Sequence, residues 1–312
     1  MRTLVTESGR RHPGFTVAPL EDASWLRDAV VAGGGRIDSV DEAEGLIWGG
    51  GSVADLRLAM QQARHLRWVQ LPSAGVDRYR AAIDDSVMWT AAKGIFDDHV
   101  AEHVLGLSIA GLRHLSSGLR TAAWNRQDAI TLFDANVTIL GGGGIAAALL
   151  RLLLPFRVRT TVVRRHPVAM DGVERVLSLS ELTEALRDAA LVVLALPLTA
   201  ETAAVIGERQ LRAMRDDAWL INVGRGKLVV TEDLTRALRE GWIGGAGLDV
   251  TDPEPLPVDH PLWQLDNCII TPHVANPPNL ERQPLSRLVR ENVRRYLNGD
   301  PLLGVVDAGL GY

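Results

Sequence analysis

The chain has 312 residues, 46% hydrophobic and 23% charged, with a formal net charge of −5; this describes a globular protein long enough for two domains, with no basic footprint for nucleic acid. Cys268 is the single cysteine, which excludes intrachain disulfides and cysteine-rich metal centres, and its apolar setting reads as a buried small hydrophobe. The N-terminus has no apolar stretch of signal-peptide length, and the longest uncharged apolar run, Ala189 to Leu196, is far too short to span a bilayer, so a cytoplasmic location is expected.

In chain order, the first 90 or so residues alternate apolar runs with helical patterns: Leu4-Val5, a helix over Glu21 to Ala32, Gly45 to Trp48, a helix over Val53 to Ala63, and Leu66 to Leu71. This alternation predicts a small parallel α/β domain. Pro72-Ser-Ala-Gly-Val-Asp77 leaves the last of these strands as a small, glycine-containing loop before a helix, a place where exposed backbone N–H groups suit a carboxylate. From Val100 to Leu115 the sequence is apolar on most faces, which predicts a helix buried between domains or against a second copy, hence a homodimer.

A second α/β segment runs from Asn136 to His273. Val137 to Leu140 reads as a strand, Gly141-Gly-Gly-Gly144 as a turn, and Ile145 to Leu154 as a helix. In that context a G-x-G-x-x-G/A pattern means dinucleotide binding, with Gly141 making the turn, Gly143 admitting the pyrophosphate and Ala146 allowing close helix packing. An acidic residue about 20 residues further on would read the ribose 2′-hydroxyl of NAD. At the end of the next strand, Val158 to Val163, stand Arg164 and Arg165, so NADP is expected over NAD.

Three further apolar runs, Ala218 to Val223, Ile243 to Val250 and Cys268 to Thr271, read as strands, and just beyond them lie Arg225, Glu254 and His273. Residues beyond the C-terminal ends of parallel strands converge on one crevice. There a guanidinium can hold a carboxylate bidentately, an imidazole can exchange a proton with a carbonyl oxygen, and a carboxylate can orient that imidazole and favour its charged form. Such a set suits reduction of a 2-keto acid. Amphipathic spacing at Leu285, Leu288, Val289, Val293 and Leu297 predicts a closing helix over 280–297.

The wording around the three residues, Asn222-Val-Gly-Arg-Gly226, Gly247-Leu-Asp-Val-Thr-Asp-Pro-Glu-Pro255, His260-Pro-Leu-Trp263 and Thr271-Pro-His273, resembles the D-isomer-specific 2-hydroxyacid dehydrogenase family, of the glyoxylate or hydroxypyruvate reductase kind. The resemblance implies two doubly wound parallel-sheet α/β domains: a Rossmann cofactor domain over 98–274 inserted into a flavodoxin-like substrate domain formed by 1–97 and 275–312. It implies an Arg225, Glu254 and His273 catalytic set with His273 as proton donor, and substrate carboxylate binding at Ser73, Ala74 and Gly75. Cofactor contacts are implied at Gly141, Gly143, Gly144, Ile145, Arg164, Arg165, Leu196, Pro197, Val223 and Asp249, with domain closure hinged near residues 95 to 100 and 274 to 278. Departures stand at Ala146, Gly144 and Lys93, where members commonly carry glycine, a long polar or basic residue, and asparagine.

His99-Val-Ala-Glu-His103 matches the H-x-x-E-H pattern of zinc peptidases, but members of the family commonly have Ala-Glu-His here, and a metal would leave the three strand-end residues unexplained. No metal is expected. The substrate side-chain pocket is expected to draw on loops such as His12-Pro-Gly-Phe15. A nucleotide-sensing co-regulator on the same fold is the alternative to an enzyme, and the intact Arg, Glu and His set favours the enzyme.

Overall fold

In the computed structural model the described residues are 13–19, 23–120, 124 and 128–309. They fall into two compact units, one holding the described residues up to Phe96 together with those from Pro278 onward, the other spanning Asp97–Pro277.

The first unit is built on five parallel strands, β1 (Gly14–Ala18), β2 (Arg36–Ile37), β3 (Gly45–Trp48), β4 (Trp68–Gln70) and β5 (Met88–Thr90), in the order β2-β1-β3-β4-β5. This is the flavodoxin-like doubly wound order. All four residues of β3 are buried, as expected of a parallel strand covered on both faces. Helix α1 is Ser24–Ala32 and α2 is Val53–Gln62. A capping box starts α2, with the Asp55 amide donating to Ser52 Oγ at 3.1 Å and the Ser52 amide donating to the Asp55 carboxylate at 3.3 Å. The expected strand at Leu4-Val5 and residue His12 lie outside the described residues. Gly14 and Phe15, expected in a loop, instead open β1, where Phe15 is fully buried and stacks edge-on against Trp68 and Tyr296.

The C-terminal helix Pro278–Asn298 returns the chain to this unit and is tied to its sheet by a buried polar network. Asn292, fully buried, donates to Gln70 Oε1 at 2.9 Å and to the Leu303 carbonyl at 3.0 Å, and accepts from the Leu303 amide at 2.8 Å. Gln70 Oε1 also accepts from Thr90 Oγ1, which in turn accepts from Trp68 Nε1, both at 2.8 Å.

The second unit is a seven-stranded, fully parallel sheet of β6 (Asn136–Leu140), β7 (Arg159–Val163), β8 (Arg175–Leu177), β9 (Leu191–Leu194), β10 (Trp219–Asn222), β11 (Gly245–Leu248) and β12 (Cys268–Ile270). From one edge the order is β8-β7-β6-β9-β10-β11-β12, the doubly wound dinucleotide-binding order with one added strand and its switch point between β6 and β9. Cys268 is buried in β12. The long apolar helix α3 spans Asp97–Leu112, and α4 (Leu115–Arg120) follows it. Its buried residues Ala101, Val104, Leu107 and Leu112 share a core with Val137, Ile139, Trp219 and Ile221. The apolar run that suggested a second subunit is thus largely covered by its own sheet, because one face of a helix rarely stays apolar without a sheet to cover it. Among the described residues no helix is long and apolar enough to cross a membrane.

Removing the Asn292 side chain takes the partner from the part-buried Leu303 backbone groups and one of two donors from the buried Gln70 carbonyl. Asn292→Ala should therefore destabilise the protein by about 2–3 kcal/mol, read as a lower midpoint in urea unfolding; an unchanged midpoint would show that this network does not anchor the helix.

Candidate functional site

The glycine-rich turn follows β6. Gly141 has φ +115°, and a Cβ there would stand 2.4 Å from the Ala195 carbonyl oxygen, so the turn and the segment after β9 touch at the switch point and only glycine fits. The helix that follows, α5, is Gly144–Leu153, one residue earlier than the sequence suggested. Gly143 is its N-cap with no side-chain cap, and a Cβ built there meets nothing within 4 Å. The uncapped start of α5, with room on the Gly143 side, fits a pyrophosphate. Ala146 is fully buried against the sheet.

Gly144 has a physical partner for its departure. A Cβ there would lie 1.6 Å from the Asp97 carboxylate, so Asp97 fills the volume in which a longer side chain would sit. Burial, the adjacent Asp98 carboxylate and, in opposition, the Arg151 guanidinium act on Asp97, with burial dominant and its carboxyl pushed up. Ile145 is half-buried in the first turn of α5.

At the end of β7, the Arg164 side chain packs over the turn, its Cδ 3.0 Å from where a Gly142 Cβ would stand. Arg165 instead pairs with Glu201 at 2.8 Å. Leu196 is buried in the sheet's core, while Pro197 is exposed beyond β9, its carbonyl accepting from Thr202 Oγ1 at 2.7 Å. Val223 is buried directly after β10.

The three strand-end residues are set by adjoining loops. After β10, the Asn222 side chain closes the turn by accepting from the Gly224 amide at 3.1 Å and donating to the Arg225 carbonyl at 2.9 Å. Arg225 is half-buried, one guanidinium nitrogen donating to the Gly224 carbonyl at 2.7 Å. The next residue, Gly226, packs so closely on the loop after β11 that a Cβ would stand 2.0 Å from the Thr251 carbonyl. The Arg225 and Glu254 segments are thereby in van der Waals contact. Glu254 Oε1 lies 2.6 Å from His273 Nδ1, and both side chains are about half exposed. His273 Nε2 makes no hydrogen bond to the described residues, so it faces outward as the free end of the pair.

His273 adopts φ +54°, and its loop is held by Asp249. The Asp249 carbonyl accepts from the His273 amide at 2.8 Å, and its carboxylate accepts from the Val274 amide at 2.9 Å, the Ala275 amide at 3.0 Å and Thr271 Oγ1 at 2.6 Å. Burial pushes the Asp249 carboxyl up, but hydrogen bonds from His103, Thr271 and the two amides outweigh it and hold the group at about 2. Asp249, expected from the sequence at the cofactor, also clamps this loop; an aspartate directly after a strand gives no local signal of the amides it will meet.

In the other unit, Ser73 Oγ donates to the Gly75 carbonyl at 2.7 Å, shaping a turn with Ala74 exposed at its tip. The helix after it is a 3-10 turn, Asp77–Ala82. Lys93, half-buried, donates to the Val305 carbonyl at 2.7 Å, and burial lowers its ammonium below the usual range. The two imidazoles of the H-x-x-E-H run are taken by protein partners, His99 by Asn276 and His103 by Thr271.

The NAD binding domain of the D-isomer specific 2-hydroxyacid dehydrogenases matches residues 105–275 of this chain. A glyoxylate reductase of Thermofilum pendens is 33% identical over 77% of this chain and 75% of its own length. A glyoxylate reductase/hydroxypyruvate reductase of Mus musculus is 29% identical over 91% of this chain and 90% of its own. The crystal structure of a D-isomer specific 2-hydroxyacid dehydrogenase from Xanthobacter autotrophicus Py2, in complex with NADPH and MES, superposes with a TM-score of 0.85 at 27% identity, covering 96% of this chain and 100% of that one.

The ionised Asp249 carboxylate is stabilised in the folded state, so its contribution is present above the ordinary carboxylate range and is lost as pH falls toward about 2. In Asp249→Asn, unfolding free energy should fall less steeply between about pH 4 and pH 2 than in the parent protein. Denaturant unfolding across that range measures it; parallel curves would remove the clamp from the stability account.

Proposed function

The chain belongs to the D-isomer specific 2-hydroxyacid dehydrogenase family of NAD(P)-dependent oxidoreductases, and from that premise we propose that it reduces a small 2-keto acid, glyoxylate or hydroxypyruvate, in the cytoplasm. The observation that carries the reading is the 2.6 Å contact between Glu254 and His273 Nδ1, which leaves Nε2 directed away from the pair. Bound nicotinamide supplies the hydride. Arg225 holds the substrate carboxylate and polarises the ketone, and protonated His273 delivers a proton from Nε2 to the developing alkoxide. Glu254 fixes the ring and compensates its charge. Ser73, Ala74 and Gly75 belong to the same proposal as donors to the substrate carboxylate. The glycine-rich turn at Gly141, Gly143, Gly144 and Ile145, with Leu196, Pro197, Val223 and Asp249 at the neighbouring strand ends, is the proposed cofactor contact surface.

The residues after β7 support NADP as the preferred cofactor. Arg164 lies over the turn, no acidic residue follows β7 directly, and the relative from Xanthobacter holds NADPH. Homodimer formation is proposed through apolar surface that α3 leaves uncovered near Ile109 and the adjoining exposed Leu115.

A panel of 2-keto acids assayed with both cofactors tests the reading, with kcat/KM for glyoxylate or hydroxypyruvate expected to be higher with NADPH. His273→Ala should lower kcat/KM by roughly 10²–10⁴-fold, and a variant as active as the parent would overturn the assignment. Arg164→Ala should weaken NADPH use by about tenfold or more, the worth of a charge-assisted hydrogen bond, and Arg165→Ala by less because Glu201 already engages that guanidinium. Equal use of NADH and NADPH by the parent protein would reject the NADP preference. Light scattering at micromolar concentration should give the dimer mass, and a monomer mass would reject the dimer.

A further inference from the structure

Two imidazoles on α3 have no part in the reaction described above. His99 and His103 are one helical turn apart, so they share a face, and both reach the loop that carries His273. His103 Nε2 lies 3.0 Å from Thr271 Oγ1 and 3.4 Å from Asp249 Oδ1. His99 Nδ1 lies 3.1 Å from Asn276 Oδ1. The two contacts therefore bracket His273, one on each side of it in the chain.

Donor and acceptor accounting fixes the direction of these bonds. Thr271 has one hydroxyl proton, and it is committed to Asp249 Oδ1 at 2.6 Å, so the hydroxyl accepts from His103 and the proton sits on Nε2. Asn276 Oδ1 is an acceptor, so His99 donates from Nδ1. Between these two points the amides of His273, Val274 and Ala275 all end on Asp249. Each link is needed to oppose a local cost, because His273 is a non-glycine residue at φ +54°, a disfavoured conformation that persists only where surrounding contacts impose it. Released from the bracket, the loop would relax to negative φ and carry the imidazole away from Glu254.

We propose that His99 and His103, acting through Asn276, Thr271 and Asp249, are positioning residues that hold the His273 ring in register with Glu254. The inference rests on the reading of His273 as proton donor. It gives the His-Val-Ala-Glu-His run a role in which neither imidazole touches substrate or cofactor and neither binds a metal. Because a displacement of about 1 Å in a reacting group costs on the order of 10²-fold in rate, loss of the bracket should appear in turnover before it appears in binding.

The test compares His103→Leu, His103→Gln, Thr271→Val and Thr271→Ser with the parent protein for kcat, for the NADPH dissociation constant by fluorescence, and for folding by circular dichroism. His103→Leu and Thr271→Val should lose about tenfold or more in kcat while NADPH binding stays within about twofold, and the donor-retaining His103→Gln and hydroxyl-retaining Thr271→Ser should recover most of the rate. Added to His273→Ala, His103→Leu should cost less than about twofold more, since residues acting through one group are non-additive. Parent-like kcat in both His103→Leu and Thr271→Val overturns the proposal, as does a full additional loss in the His273→Ala background. Thr271→Val is nearly isosteric and decides the matter should His103→Leu fail to fold. Failure of the underlying reading looks different: His273→Ala would then itself turn over like the parent.

Discussion

Asp249 is the constraint on which the rest of the candidate site depends. It directly follows the buried strand β11, and its carboxylate accepts from Thr271, Val274 and Ala275 in the segment after β12, with the His103 imidazole beside it. An ionised carboxylate in that position would be costly without those donors; with them it becomes a fixed anchor, and the hydrogen bonds hold its carboxyl below the ordinary range despite burial. The His273 loop cannot move without leaving a buried charge unpaired. His273, the proposed proton donor, is therefore placed by the packed interior beneath it, while its own ring stays half exposed.

The same logic runs along the sheet edge. Parallel strands put their C-terminal ends on one side, and each loop leaving that side is locked to its neighbour by close backbone contact: Gly141 against Ala195, and Gly226 against Thr251. Glycine at these positions lets strands far apart in sequence present Arg225, Glu254 and the nucleotide turn from one rigid rim.

Much of this was legible in the sequence because it depends on short-range patterns. Strands such as β9 are uninterrupted apolar runs, the turn after β6 is spelled by its glycines, and Arg225, Glu254 and His273 stand in the loops after strand ends. The family, and with it two doubly wound parallel-sheet domains, followed from motifs whose order and spacing are specific. What was not legible depends on contacts between distant segments. That Ala101, Val104, Leu107 and Leu112 of α3 pack with Trp219 and Val137 cannot be read from α3 alone. Gly14 and Phe15 were expected in a loop, yet they open β1, with Phe15 buried against Trp68 and Tyr296. That Asp97 occupies the volume beside Gly144, and that Thr271 and Asn276 meet the paired histidines, likewise depends on segments distant in the chain.

The central claim is that hydride goes to the keto carbon of a small 2-keto acid while His273 supplies the proton. The most direct measurement follows deuterium from NADPH labelled at the transferable C4 position into product by mass spectrometry, with glyoxylate as substrate. The account predicts one deuterium at C2 of the hydroxy acid in the parent protein and almost no labelled product over the same interval in His273→Ala. Unlabelled product from the parent, or labelled product formed at the parent rate by His273→Ala, would contradict it.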